Sequence, residues 1–276
     1  HAVGVVLGVI GVEDAAEQAL ARVIVEEHRA FVALTGLAPH GREKLADRAG
    51  HLRLVARSPR PPCPARHGPC GAAARKRRGG GAKVVLYAVL TALDVSGATV
   101  VAHSMSGGEI LSYLERQGAT ARVARVLFLA TTLPCLTAKP DNPAGVPAAA
   151  FDRMRQQFYT DFPQWIETNS DPFVVPETSP LMRQWIKNIM LGTSLRAVID
   201  LNRAMTAADF RGGLGALTLP TLFIHGDRDA SAPLALTAEP ASKLPKQAKL
   251  IVYEGAPHGL FVTHIARLNA DIEAFA

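Results

Sequence analysis

Val100-Val101-Ala102-His103-Ser104-Met105-Ser106-Gly107-Gly108 decides how the rest of the chain is read. The run from Ala98 to Ala102 is β-branched and apolar, the composition of a short buried strand. It stops at a serine among small residues, and Glu109 to Gln117 follows with helical spacing up to Gly118. A serine held in a sharp strand-to-helix turn sits in a strained backbone conformation that lifts its hydroxyl clear of the sheet. The positions two before and two after it must be small, because strand and helix nearly touch there. The usual pattern is G-x-S-x-G; this chain has Ala102 and Ser106, both small. The following helix points its N terminus at the serine, so Met105 N–H is a candidate oxyanion donor. An ordinary turn with a surface serine fits the same nine residues, and the rest of the chain must separate the two readings.

Outward from this stretch the pattern is regular. Lys83 to Leu93 has helical spacing, and Arg122 to Ala130 reads as the next strand. Strand, helix, strand is the signature of a parallel α/β sheet. Residues 134–210 break the rhythm with Pro- and Asn-rich loops and amphipathic helices. Among these, Ser179-Pro180 is a cap with proline at the first helical position, before a helix from Leu181 to Leu191 carrying Trp185, Ile186 and Ile189. This insertion is expected to lie as a cap over one edge of the sheet. After Leu219-Pro220 the rhythm returns: a strand Thr221 to His225, a turn Gly226-Asp227-Arg228-Asp229, a strand Leu250 to Tyr253, and a closing helix Ile265 to Phe275. The chain thus divides into 84–133 (core with the serine), 134–210 (cap) and 211–276 (core), with 1–83 set apart.

A serine hydroxyl is a weak nucleophile without a base, and the base needs an orienting acid. Asp229 follows one strand and His258 follows the next, so the chain order is Ser, Asp, His, as expected on this kind of sheet. Each sits just past a strand's C-terminal end, where open α/β sheets place ligands. Asp227 is the competing acid, and the aspartate not used is expected to hydrogen-bond within the turn. His103 and His225 read as structural and His264 as solvent-facing.

The stretches A-H-S-M-S-G-G-E, L-P-T-L-F-I-H-G-D-R-D and V-Y-E-G-A-P-H-G-L-F-V-T-H together resemble the non-haem haloperoxidase and arylesterase branch of the α/β-hydrolases. The resemblance covers residues 84–276 nearly continuously. It implies an α/β-hydrolase fold: a mostly parallel central sheet flanked by helices, with a helical cap. It implies Ser104 as nucleophile, Asp229 as acid, His258 as base, and hydrolysis of small carboxylic esters through an acyl-enzyme. The branch includes perhydrolases that make halide-oxidising peracids from hydrogen peroxide on the same triad. No metal, haem or other cofactor is implied. The partner is a small-molecule ester, with neither nucleic acid nor membrane expected and a homo-oligomer admitted. Phe158, Phe162, Trp165 and Trp185 from the cap, with Ala230 and Ser231 beside the acid, are candidates for the acyl pocket. The bland alternative for each cap aromatic is packing within the cap.

The first third departs from this pattern. Residues 1–83 hold 14 Lys/Arg against 7 Asp/Glu, while 84–276 hold 16 against 17, so the whole net charge of +6 originates there. Of the Phe, Tyr and Trp residues only Phe31 lies before residue 84. Val12 to Leu34 has helical character, although Ala30 to Leu34 also suits a strand. Behind that strand, Pro39-His40-Gly41-Arg42 offers an H-G pair for a second oxyanion donor, Arg42, and the family's D-x-R-G-x-G-x-S loop is absent. Residues 58–82 are rich in Pro, Gly, Ala and Arg and read as loop or disorder. One hypothesis joins these departures: residues around 50–82 are translated from a shifted reading frame, which the nucleotide sequence would reveal. A hydrolase built on such a first third would be catalytically impaired.

Arg75 to Arg78 offers a basic run to nucleic acid or an acidic partner, though the lack of aromatic interleaving favours a solvated charge run. Cys63, His67 and Cys70 lack the partner pair of a zinc site. Three cysteines in all argue against a disulfide framework and for a reducing, cytoplasmic compartment. Ala2 to Val12 lacks the basic leader of a signal peptide, and no run of 18 apolar residues suggests a membrane span.

Overall fold

The computed structural model describes residues 19–25, 30–37, 86, 90–91, 95–115 and 121–276. Strands β1 (Ala19–Val25) and β2 (Ala30–Leu37) pair antiparallel, with Ala21 opposite Leu34 and Val25 opposite Ala30. Over Ala19–Val25 and from Ala30 to Leu34 the expected helix is therefore corrected to a two-stranded ladder. Val23-Ile24-Val25 and Phe31-Val32 supply the β-branched and aromatic residues that favour strands.

Among the described residues the main sheet is four parallel strands in the order β3 (Ala98–His103), β4 (Val123–Leu129), β5 (Thr221–Gly226) and β6 (Ala248–Tyr253). Successive side chains leave opposite faces of a strand, and here both faces are covered. Val100, Ala102, Val126, Phe128 and Phe223 enter one core with Leu86, Leu90, Ile110 and Tyr113. Val101, Leu127, Leu129, Leu222 and Ile224 enter the other with Leu260, Leu268 and Ile272. This is why strands β3, β4 and β5 read as continuous apolar runs rather than as alternating ones.

Helix α1 (Ser106–Leu114) starts three residues earlier than the spacing suggested, directly behind Ser104-Met105. Gly107 and Gly108 permit this start. A Cβ on Gly107 would stand 2.8 Å from Thr131 Oγ1, and one on Gly108 would stand 2.5 Å from the Phe210 ring. Between β4 and β5 lie the cap helices α2 (Ala148–Asn169), α3 (Pro180–Leu191) and α4 (Leu195–Ala207), then the short α5 (Arg211–Gly215). Pro163 cannot donate to the ladder, so α2 breaks at Asp161, whose carboxylate re-caps the second half by accepting from Gln164 N–H at 2.9 Å. Ser179 caps α3 by accepting from Met182 N–H, as its position before Pro180 suggested. The chain ends with α6 (Ala238–Ser242), α7 (Leu260–Thr263) and α8 (Ile265–Phe275). Among the described residues no helix is long and apolar enough to cross a membrane.

Candidate active site

Parallel pairing brings the C-terminal ends of β3, β5 and β6 to one edge of the sheet, and Ser104, Asp229 and His258 are the residues just beyond them. Ser104 has φ 57°, a left-handed conformation that a residue with a Cβ takes only under constraint. The constraint is visible: Ser104 N–H donates to Leu129 O at 2.9 Å and Gly107 N–H donates to Ser104 O at 3.3 Å. The two positions that depart from glycine fit the turn. Ala102 is fully buried, and the buried Ser106 hydroxyl donates to His103 O at 2.6 Å, supplying a bond that glycine would lack.

The three side chains form one hydrogen-bonded line. Asp229 Oδ2 stands 2.7 Å from His258 Nδ1, and His258 Nε2 stands 3.0 Å from Ser104 Oγ. A carboxylate only accepts, so Nδ1 carries the proton and Nε2 is free to accept from the serine hydroxyl. The other oxygen of the acid, Oδ1, accepts from Ser231 N–H at 2.9 Å and Ala232 N–H at 2.7 Å. Burial pushes the Asp229 carboxyl up, but donors from His225 and His258 outweigh it and hold the group well below the usual carboxylate range. It stays ionised. Asp227 takes the other role: its Oδ1 accepts from Gly255 N–H at 2.7 Å, tying the loop after β5 to the loop after β6.

Sequence reasoning missed the surroundings of the base. His103 is buried with its ring 4.7 Å from that of His258, and its Nε2–H donates to His258 O at 3.1 Å. Burial, then the neighbouring His258, hold the His103 imidazole down to about 3, so it stays neutral. Phe173, from the cap, packs edge-on against His258 with centroids 5.6 Å apart, and Phe261 closes against both Phe173 and His103. Gly259 N–H donates to Phe173 O at 2.7 Å, and a Cβ on Gly259 would meet that oxygen at 2.5 Å. No local signal marked Phe173, which arrives from the cap, 85 residues before the base.

The remaining candidates are placed as follows. Met105 leads into α1 with its N–H at the helix N terminus. Arg42, Cys63, His67, Cys70 and Arg75 to Arg78 lie outside the described residues. Phe158, Phe162 and Trp165 pack on one another in a cap cluster with Ile166 and Ile199, and Trp185 is 55% exposed. Ala230 and Ser231 are exposed beside the acid. His264 is not solvent-facing as expected: it is half-buried, 2.8 Å from Thr263 Oγ1, with its ring near Tyr253. Among the described residues no group of three His, Cys, Asp or Glu side chains is placed to hold a metal ion.

Comparison with known proteins agrees with this fold. A family model of the alpha/beta hydrolase fold matches residues 49–265, beginning upstream of the boundary that composition suggested. A non-heme haloperoxidase of Rhodococcus erythropolis is 33% identical over 195 residues, 68% of this chain and 70% of its own. A bifunctional esterase/perhydrolase of Acinetobacter calcoaceticus is 31% identical over 195 residues, with the same coverage. Among solved structures, a bromoperoxidase from Bacillus anthracis superposes with a TM-score of 0.67 at 21% identity, covering 94% of this chain and 99% of that one. The chain belongs to the α/β-hydrolase family, in the branch of the non-heme haloperoxidases, and is an enzyme of that family.

Proposed function

We propose that this enzyme hydrolyses small carboxylic esters through an acyl-enzyme on Ser104. The observation that carries the proposal is the unbroken line from Asp229 Oδ2 through His258 to Ser104 Oγ. In the first half-reaction Oγ attacks the ester carbonyl carbon as His258 Nε2 takes the hydroxyl proton. Asp229 keeps the ring in the tautomer with Nδ1 protonated and stabilises the imidazolium. Met105 N–H, at the start of α1, faces the charge that develops on the carbonyl oxygen. His258 then gives its proton to the departing alkoxide. In the second half-reaction water attacks the acyl carbon, His258 takes its proton, and Ser104 is released with the acid. Phe173 and Phe261 border the base, and Ala230 and Ser231 border the acid, so these residues adjoin the bound ester. Phe158, Phe162 and Trp165 serve the packing of the cap itself.

A second reading, peracid formation, is favoured by the names of the relatives. Hydrogen peroxide replaces water in the second half-reaction, His258 takes one of its protons, and the products are the peracid and free Ser104.

Hydrolysis of p-nitrophenyl acetate by the full chain and by Ser104→Ala tests the proposal. Wild type should exceed the variant by about 10³-fold or more in kcat. Equal rates would overturn it. Added peroxide with a halide-dependent bromination readout separates the second reading, which requires activity in wild type and none in Ser104→Ala.

A further inference from the structure

His225 is fully buried at the end of β5, and its Nδ1 has no hydrogen-bond partner. An unpaired buried ring nitrogen costs stability, and a leucine would fill the same core position without that cost. The other nitrogen accounts for the histidine. Nε2–H donates to Ala232 O at 2.7 Å, and the same nitrogen stands 3.2 Å from Asp229 Oδ2. Both neighbours are acceptors, so Nε2 carries the proton. Ala232 O also accepts from the Thr237 hydroxyl at 3.1 Å, and Ala232 N–H is one of the two donors on Asp229 Oδ1. One imidazole thus fixes the turn that holds one carboxylate oxygen and stands against the other, the one that faces His258.

We propose that His225 is a positioning residue for the acid: it locks the 229–232 turn and shares the Asp229 charge with His258. The inference rests on the triad reading above. Charge drawn toward His225 is charge not spent on the His258 imidazolium. Removing the Nε2–H therefore stabilises that imidazolium and moves the acid limb of the pH–rate profile upward, while the loosened turn lowers kcat. Among the described residues, the titratable groups that face this pair are His225 from β5, His103 from β3, and Asp229 and His258 themselves; Arg228 beside the acid is exposed. Phe173, the cap residue against the base, carries no charge.

The experiment compares wild type, Ser104→Ala, His225→Leu and His225→Gln in p-nitrophenyl acetate hydrolysis across pH, with thermal melts to establish folding. Glutamine places an N–H where Nε2 stands and leucine does not. His225→Leu should lose about 10- to 100-fold in kcat with KM within about threefold, its acid limb moving up by about half a pH unit. His225→Gln should recover kcat to within about fivefold of wild type, with the limb back in place. Equal loss in both variants, or a leucine variant with an unmoved limb, overturns the inference and leaves His225 as packing. If His225→Leu does not fold, His225→Gln decides: a kcat within fivefold and an unmoved limb support the role, and anything lower removes it. A wild type no faster than Ser104→Ala overturns the triad reading, and this inference with it.

Discussion

Ser104 and Glu109 lie five positions apart and show how differently single residues can be read. The serine was legible because a strand, a small-residue turn and a helix in sequence leave its backbone few options, and φ 57° is the result. Glu109, where the helical spacing begins in the sequence, lies in the first turn of α1. The fold leaves it part-buried with its Oε2 enclosed and without a hydrogen-bond partner, and that burial pushes its carboxyl up to about 8. The ordinary value is 4.5, so between pH 4.5 and 8 the folded protein holds a proton that the unfolded chain has released. Stability therefore falls as pH rises through that window. Glu109→Gln should raise the unfolding free energy by about 1–2 kcal/mol at pH 8 and leave it unchanged at pH 4. Thermal melts at the two pH values check this, and an equal gain at both would show that charge is not the cause. Burial of one carboxylate depends on what packs over it, and no local pattern encodes that.

Among the elements, the loops after β5 and β6 act as one unit. Asp227 N–H donates to Tyr253 O, Arg228 N–H donates to Ala256 O, and Asp227 Oδ1 accepts from Gly255 N–H. Gly226 makes this possible, since a Cβ there would stand 2.0 Å from Ala256 O. Gly226→Ala should force the two loops apart, costing about 2–4 kcal/mol and at least about tenfold in kcat, because the acid and the base ride on opposite loops. Gly215→Ala, at a site with nothing within 4 Å, should do neither. Urea denaturation and ester hydrolysis on both variants decide the point. These loops were the best-read part of the chain, since H-G-D-R-D and G-A-P-H-G announce both the turns and the acid–base pair. Only the use of His225 escaped: a histidine at a strand end looks the same whether it fills a core or holds a carboxylate.

Across the whole molecule, the two ends of the cap are tied to each other in a neck. Phe210 N–H donates to Pro134 O, Thr137 hydroxyl to Thr206 O, Lys139 pairs with Asp209, and Arg211 bridges Asp209 and Asp141. The side-chain ion pairs are partly exposed, so solvent screens them and their contribution is modest. Arg211→Met should make the cap about two- to fivefold more susceptible to chymotrypsin, and high salt should do the same to wild type. A cleavage rate unchanged in the variant would show that the backbone bonds of the neck suffice. Residues 134–210 were legible as an insertion because their composition breaks the α/β rhythm. How the cap meets the core was not, because Phe173 and Phe210 act through contacts made across the fold. The first 83 residues were the least legible, with a charge and aromatic balance unlike the rest of the chain.

The bond from Gly259 N–H to Phe173 O carries a consequence of its own. It makes the cap and the proton acceptor a mechanical interlock. Should the cap swing outward, the backbone beside His258 loses its partner and the imidazole loses the aromatic edge that steadies it. Under the proposed ester hydrolysis, the rate then depends on this latch being closed.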